Sequence, residues 1–175
     1  MIRFRTLALT LCALVAPCFA QTPPAPAVTV SHDKFKNLST AAVTVQAAEN
    51  GVEGPPRIFL EAGYTYRGKR LTARPRTFFV ALRSMSRERR FERVNSFIAL
   101  VDGRRLSLKP LRRVTVGFYS EELEGEISGR ELLKLAAARK VEVQAGAVEF
   151  ELSPSAIDAL SALARSAEPV RPRAR

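Results

Sequence analysis

Residues 140–164, KVEVQAGAVEFELSPSAIDALSALA, constrain the fold more than any other stretch. Val141 and Val143, then Val148, Phe150 and Leu152, alternate with Glu142, Gln144, Glu149 and Glu151. A period of two is a half-buried strand, so the stretch reads as a hairpin with one apolar and one acidic face. Placing a two-residue turn at Ala145-Gly146 sets Glu142 opposite Glu149 and Lys140 opposite Glu151. Ser153 is then a suitable N-cap and Pro154 a suitable first helical residue. The helix that follows buries Ile157, Leu160, Leu163 and Ala164.

The rest of the chain repeats this grammar. Arg57 to Tyr66 is a strand with Ile58, Leu60, Ala62, Tyr64 and Tyr66 on one face. Thr77 to Arg83 carries apolar residues on both faces, which places it centrally. Asn95 to Val101 and Arg104 to Leu108 flank Asp102-Gly103, a favoured type I′ turn that pairs Val101 with Arg104, Ala99 with Leu106 and Phe97 with Leu108. Strands are also expected at Val28 to Ser31, Ala42 to Gln46, Arg113 to Phe118 and Glu121 to Ile127, with a turn or short helical piece at Phe35 to Leu38. Ser128 with Glu131 three residues on is a capping box, opening a helix that buries Leu132, Leu135 and Ala136, backed by Leu133, and runs to near Lys140. The fold class is mainly β: an antiparallel β-sandwich-like arrangement, or an α+β sheet, with two short helices, the second C-terminal.

The first twenty residues have the parts of a secretory signal: Arg3 and Arg5, an apolar run from Leu7 to Ala16, and Cys18-Phe19-Ala20 as a cleavage site, cut after Ala20. Pro17 disfavours lipidation at Cys18, since a small residue belongs there. Residues 21–27 form a Pro-rich linker, 28–167 a single β-rich domain and 168–175 a basic, disordered tail. Both cysteines lie in the signal, so the core of the exported chain must hold without disulfides, and that chain carries no transmembrane segment. The expected location is periplasmic or secreted. Charge is unevenly spread. From Arg57 to Arg113 there are sixteen basic and four acidic residues; from Val114 to Leu160 there are four basic and nine acidic.

Catalytic residue types are scarce. His32 is the single histidine, and adjacent Ser31-His32-Asp33 point apart on an extended chain rather than converging as a triad must. Zinc needs Cys or His in number, and no P-loop or dinucleotide fingerprint is present, so no cofactor is assigned. Glu122, Glu124 and Glu126 share a strand face and, with the Glu142–Glu149 pair, are the only carboxylate groupings with a cation site or acid–base pair in reach. The arginine-rich loops hold the candidate anion-binding residues Arg67, Arg70, Arg87, Arg89, Arg90 and Arg93.

Ser86 to Phe91 ahead of the Asp102-Gly103 hairpin, the capped helix from Ser128, and the closing hairpin-to-helix unit together resemble small exported bacterial proteins of unassigned function. That resemblance implies no reaction and no catalytic residues. The leading expectation is an exported, non-enzymatic cell-envelope binding or structural module. Its partner would be an envelope protein or an anionic surface polymer, not nucleic acid. A second expectation is an anionic lipid or polysaccharide binder acting through the arginine loops. A third is a carboxylate-based hydrolase, which needs two carboxylates roughly 5–10 Å apart in a cleft.

Overall fold

Alternating apolar residues resolve into two antiparallel sheets in the computed structural model, which describes residues 27–48, 57–85, 91, 94, 97–108, 112–115, 120–146 and 148–169. The strands are β1 (Thr29–Asp33), β2 (Leu38–Gln46), β3 (Arg57–Arg67), β4 (Thr77–Met85), β5 (Phe97–Val101), β6 (Arg104–Leu108), β7 (Arg112–Thr115), β8 (Ser120–Ser128), β9 (Val141–Ala145) and β10 (Val148–Glu151). The helices are α1 (Gly129–Ala136) and α2 (Pro154–Ser166). One sheet has the order β1-β2-β3-β4-β8-β7 and the other β10-β9-β5-β6. The protein is mainly β and sandwich-like. Both sheets contribute to one hydrophobic cluster, with Ile58, Leu60, Phe78 and Leu82 from the first and Phe97, Val141 and Val143 from the second.

The Asp102-Gly103 hairpin has the expected register, Val101 with Arg104 through Phe97 with Leu108. Both turn residues have positive φ, 47° and 77°, as a type I′ turn demands. The Asp102 carboxylate also accepts the N–H groups of Arg139 and Lys140, each at 3.0 Å, and so ties the turn to the start of β9. β4 lies centrally as expected, with Phe78, Val80 and Leu82 buried on the core face. On its other face, Phe79 lies across Gly63 of β3. A Cβ at Gly63 would collide with the Phe79 ring and with the Ala41 carbonyl oxygen, so only glycine fits.

Four expectations need correction. β2 begins at Leu38, four residues earlier than the Ala42 start. Its inward position Ser39 is polar yet 1% exposed, and this interrupts the apolar alternation. The β9–β10 turn lies one residue later, because Gly146, at φ 64°, opens the turn. Glu149 therefore faces Gln144, and Glu142 faces Glu151. Moving a turn by one residue moves each cross-strand partner by two, so the apolar set keeps its face. α1 ends at Ala136 rather than near Lys140, and Leu133 is 44% exposed. Ile157 is only half-buried, while Ala156 and Ala159 join Leu160, Leu163 and Ala164 inside. The signal (1–20), residues 21–26 of the linker, residues 95–96 of the expected fifth strand, residues 116–118 of the expected seventh, and 170–175 of the tail lie outside the described residues.

Ser153 joins the layers. Its N–H donates to the Ala47 carbonyl at 2.8 Å, just past the end of β2. Its hydroxyl donates to the Gln46 carbonyl at 3.0 Å and accepts the Ala156 N–H at 3.2 Å as the N-cap of α2. α2 then packs on β2, β3 and α1. Its far end is held by the Tyr64 hydroxyl, which donates to the Ser166 carbonyl at 2.7 Å. The α1 end is held by Ser161, whose hydroxyl donates to the Ala136 carbonyl at 2.5 Å.

Ser153→Ala should lower unfolding free energy by about 1–3 kcal/mol, a lost cap together with the lost hydrogen bond to the Gln46 carbonyl. Ser153→Asp should recover only part of that in urea denaturation, because a carboxylate caps but cannot donate to Gln46. Phe78→Ala, at a site 2% exposed, should cost about 3–5 kcal/mol. Phe150→Ala should cost clearly less in the same assay, since Phe150 is only half-buried.

Candidate functional site

Two charged surfaces emerge from the fold. The first is built from the β1–β2 turn and the β3–β4 loop. In the turn, Asp33 Oδ1 accepts the N–H of Phe35 at 2.9 Å and of Lys36 at 3.2 Å. Asn37 takes a positive φ of 49°, a conformation asparagine tolerates. The Lys36 N–H is the largest cause that holds the Asp33 carboxyl below its ordinary range; desolvation opposes it, and the Phe35 N–H and the Lys36 ammonium add smaller lowering effects.

The loop docks on this turn. Gly68 N–H donates to the Asn37 carbonyl at 2.9 Å, and Ser39 Oγ donates to the Gly68 carbonyl at 2.6 Å. A hydroxyl carries one hydrogen, so Ser39 Oγ must accept in its 2.9 Å contact with His32 Nδ1, which therefore bears a proton. The single histidine thus has a structural role, orienting the serine that grips the loop.

The consequence is a basic end to the six-stranded sheet. Lys34, Lys36, Arg67, Lys69 and Arg70 are all exposed there, and Arg74 and Arg76 follow in the same loop. Asp33 is the one acidic residue on the two segments, and Lys36 lies 3.8 Å from it. Among the described residues, Arg67, Lys69 and Arg70 make no ion pair. At the tip, Phe35 is 89% exposed, with Lys34 Nζ 5.1 Å from its ring centroid.

The predicted anion-binding set is thus placed in part. Arg67 and Arg70 belong to this end. Arg87, Arg89, Arg90 and Arg93 lie outside the described residues. Met85, the last described residue before Arg87, stands at the other end of β4 from the 68–76 loop, roughly 26 Å from Thr77 by strand rise. Between Arg90 and Arg93 in the chain, Phe91 is fully buried, and its N–H donates to Glu121 Oε2 at 2.9 Å.

The second surface is the outer face of the four-stranded sheet. An open groove of ≈ 480 Å³ is lined there by Ile98, Leu100, Arg105, Glu142, Gln144 and Glu149 among others. Its carboxylates are already engaged. Lys140 Nζ sits 2.9 Å from Glu142 and 3.5 Å from Glu151, which relieves the like-charge pair. The hydrogen bond that Lys140 donates to the Glu142 carboxylate is the largest cause of the raised Lys140 pKa. Gln144 Nε2 donates to Glu149 at 2.6 Å. On the outer face of the larger sheet, Arg83 holds Glu122 through Nε and Nη2, both at 2.9 Å, and lies 3.7 Å from Glu61. Glu124 is half-buried and Glu126 exposed. Among the described residues no three His, Cys, Asp or Glu side chains gather to hold a metal ion, and no helix is long and apolar enough to cross a membrane.

The loop arginines are legible in the sequence. Lys34, Phe35 and Lys36 are not legible there as site residues, because their neighbourhood depends on a backbone bond between distant turns. No family model, curated protein or solved structure matches the chain.

A lowered carboxyl pKa supports the turn at every pH above the ordinary value of 3.8 and is lost as pH falls through the lowered value. In an NMR titration, the Phe35 and Lys36 amide resonances should hold steady at neutral pH and shift together only below 3.8. Asp33→Asn should remove that titration.

Proposed function

We propose that this protein is an exported, non-enzymatic binding module of the cell envelope, and that the basic end of its six-stranded sheet engages an anionic surface. The observation that carries the reading is the Gly68–Asn37 hydrogen bond, which gathers exposed cations from two separate segments into one patch. The choice between the two surfaces follows from their pairing. Glu142, Glu149 and Glu151 already have partners within the fold, whereas Arg67, Lys69 and Arg70 have none among the described residues.

Unpaired exposed cations cost the folded state a little self-repulsion and contribute nothing to it. They attract a surface of opposite sign over about a Debye length, and each adds about 1 kcal/mol near an anionic leaflet. Export supports an envelope partner over nucleic acid. The expected signal supplies that location, and the absence of cysteine after Cys18 suits it.

Binding to vesicles containing phosphatidylglycerol, and to immobilised inorganic polyphosphate, should weaken steeply with added salt. Joint replacement of Lys34, Lys36, Arg67 and Arg70 by alanine should weaken both by at least about tenfold. Replacing Arg139 and Arg165, exposed elsewhere, should change neither appreciably. Affinity that ignores both salt and the four-residue replacement would refute the reading. The same assay on Arg87→Ala, Arg89→Ala and Arg90→Ala asks whether the second arginine segment adds to it.

A further inference from the structure

The exposed ring at the centre of the basic patch is unexplained by charge attraction alone. We propose that the β1–β2 turn is a membrane-docking tip, with Phe35 entering the interfacial layer of an anionic bilayer while Lys34, Lys36 and the 67–70 loop hold the headgroups. This rests on the anionic-surface reading and names the surface.

Nothing in the fold requires an aromatic at this position. The turn is closed by the Asp33 carboxylate on two backbone N–H groups and by Asn37 at positive φ. Phe35 is no part of the hydrophobic cluster, and at 89% it is the most exposed large apolar side chain among the described residues. An aromatic ring in water is unfavourable, and entry into the headgroup–acyl boundary of a bilayer removes it from water while leaving flanking cations outside.

Its neighbours suit that depth. A lysine on each side can lie with its stem along the ring and its ammonium back at the headgroup level. Lys34 already sits over the ring face, 5.1 Å from the centroid. Arg67, Lys69 and Arg70 lie beside the tip because Gly68 is bonded to Asn37, so phosphates around an inserted ring would meet guanidinium and ammonium donors. Apolar insertion plus electrostatic attraction is the combination that holds a protein on a membrane surface without spanning it.

A polysaccharide is the weaker fit. Sugar hydroxyls need acceptors as well as donors, and the only carboxylate on the two segments is Asp33, whose Oδ1 is engaged by two backbone N–H groups. The ring also stands at the tip of a turn rather than lying flat on a platform of polar side chains.

The chain contains no tryptophan, so Phe35→Trp in the full chain gives a single reporter without background. Its emission should shift to the blue with phosphatidylglycerol vesicles and be quenched by brominated lipid tails. It should not shift with polyphosphate or with an anionic polysaccharide. Phe35→Ala should retain the wild-type melting temperature and polyphosphate affinity but lose about tenfold in binding to those vesicles. An unshifted, unquenched Phe35→Trp, with vesicle binding still abolished by the four-residue basic replacement, would overturn insertion and leave the anionic-surface reading standing. A shift with polysaccharide but not with vesicles would overturn it in favour of a sugar ligand. Vesicle binding unaffected by either replacement would overturn both.

Discussion

Ser153 is where the layers of this protein meet, and the rest of the structure depends on the hydrogen bonds it makes to the end of β2 and to the start of α2. The residue stands between β10 and α2. Its N–H and hydroxyl reach the carbonyls of Ala47 and Gln46 at the end of β2, in the other sheet, and the same hydroxyl caps the helix. Each bond alone is modest, about 1 kcal/mol net. Their geometric effect is larger. They set the angle at which α2 leaves the small sheet, and thereby lay Leu160 and Leu163 on the inner face of the large one. Ser153 itself is only 6% exposed, so these bonds form largely out of water.

Local features are legible in the sequence to the extent that their causes are local. The Asp102-Gly103 register is readable because two turn residues determine it. The Ser128–Glu131 capping box is readable because both its bonds span three residues. The β9–β10 turn lies one residue from its expected place, since alternation is indifferent to a shift that preserves parity, and only the φ of Gly146 decides it. β2 reads short in the sequence because Ser39 is a polar residue in an apolar residue's position. Its burial is tolerated only through His32 and the Gly68 carbonyl, partners on two other segments. The same long-range bonding hides half of the candidate site. Arg67 and Arg70 announce themselves by density, whereas Lys34, Phe35 and Lys36 look like an ordinary turn until the loop is seen beside them.

The charge asymmetry of the chain acquires a spatial form through strand pairing. β8, from the acidic segment, lies beside β4, from the basic one, and Arg83 is held there by Glu122 and approached by Glu61. Lys140 does the same between Glu142 and Glu151. Sheets consume opposite charges efficiently because register brings them face to face. Turns at a sheet end have no such partners.

What is left over after pairing is therefore informative. Partly screened ion pairs within the sheets add little stability, about 0–1 kcal/mol each, but they remove their members from the pool available to a ligand. The cations of the 34–36 turn and the 67–70 loop survive this subtraction almost intact, and they surround an aromatic ring that the core does not use. Stability accounts for neither the excess of charge nor the exposed ring. Both are surface terms that become favourable only when something anionic and partly apolar covers them, and a lipid interface has both properties at the depth of one side chain.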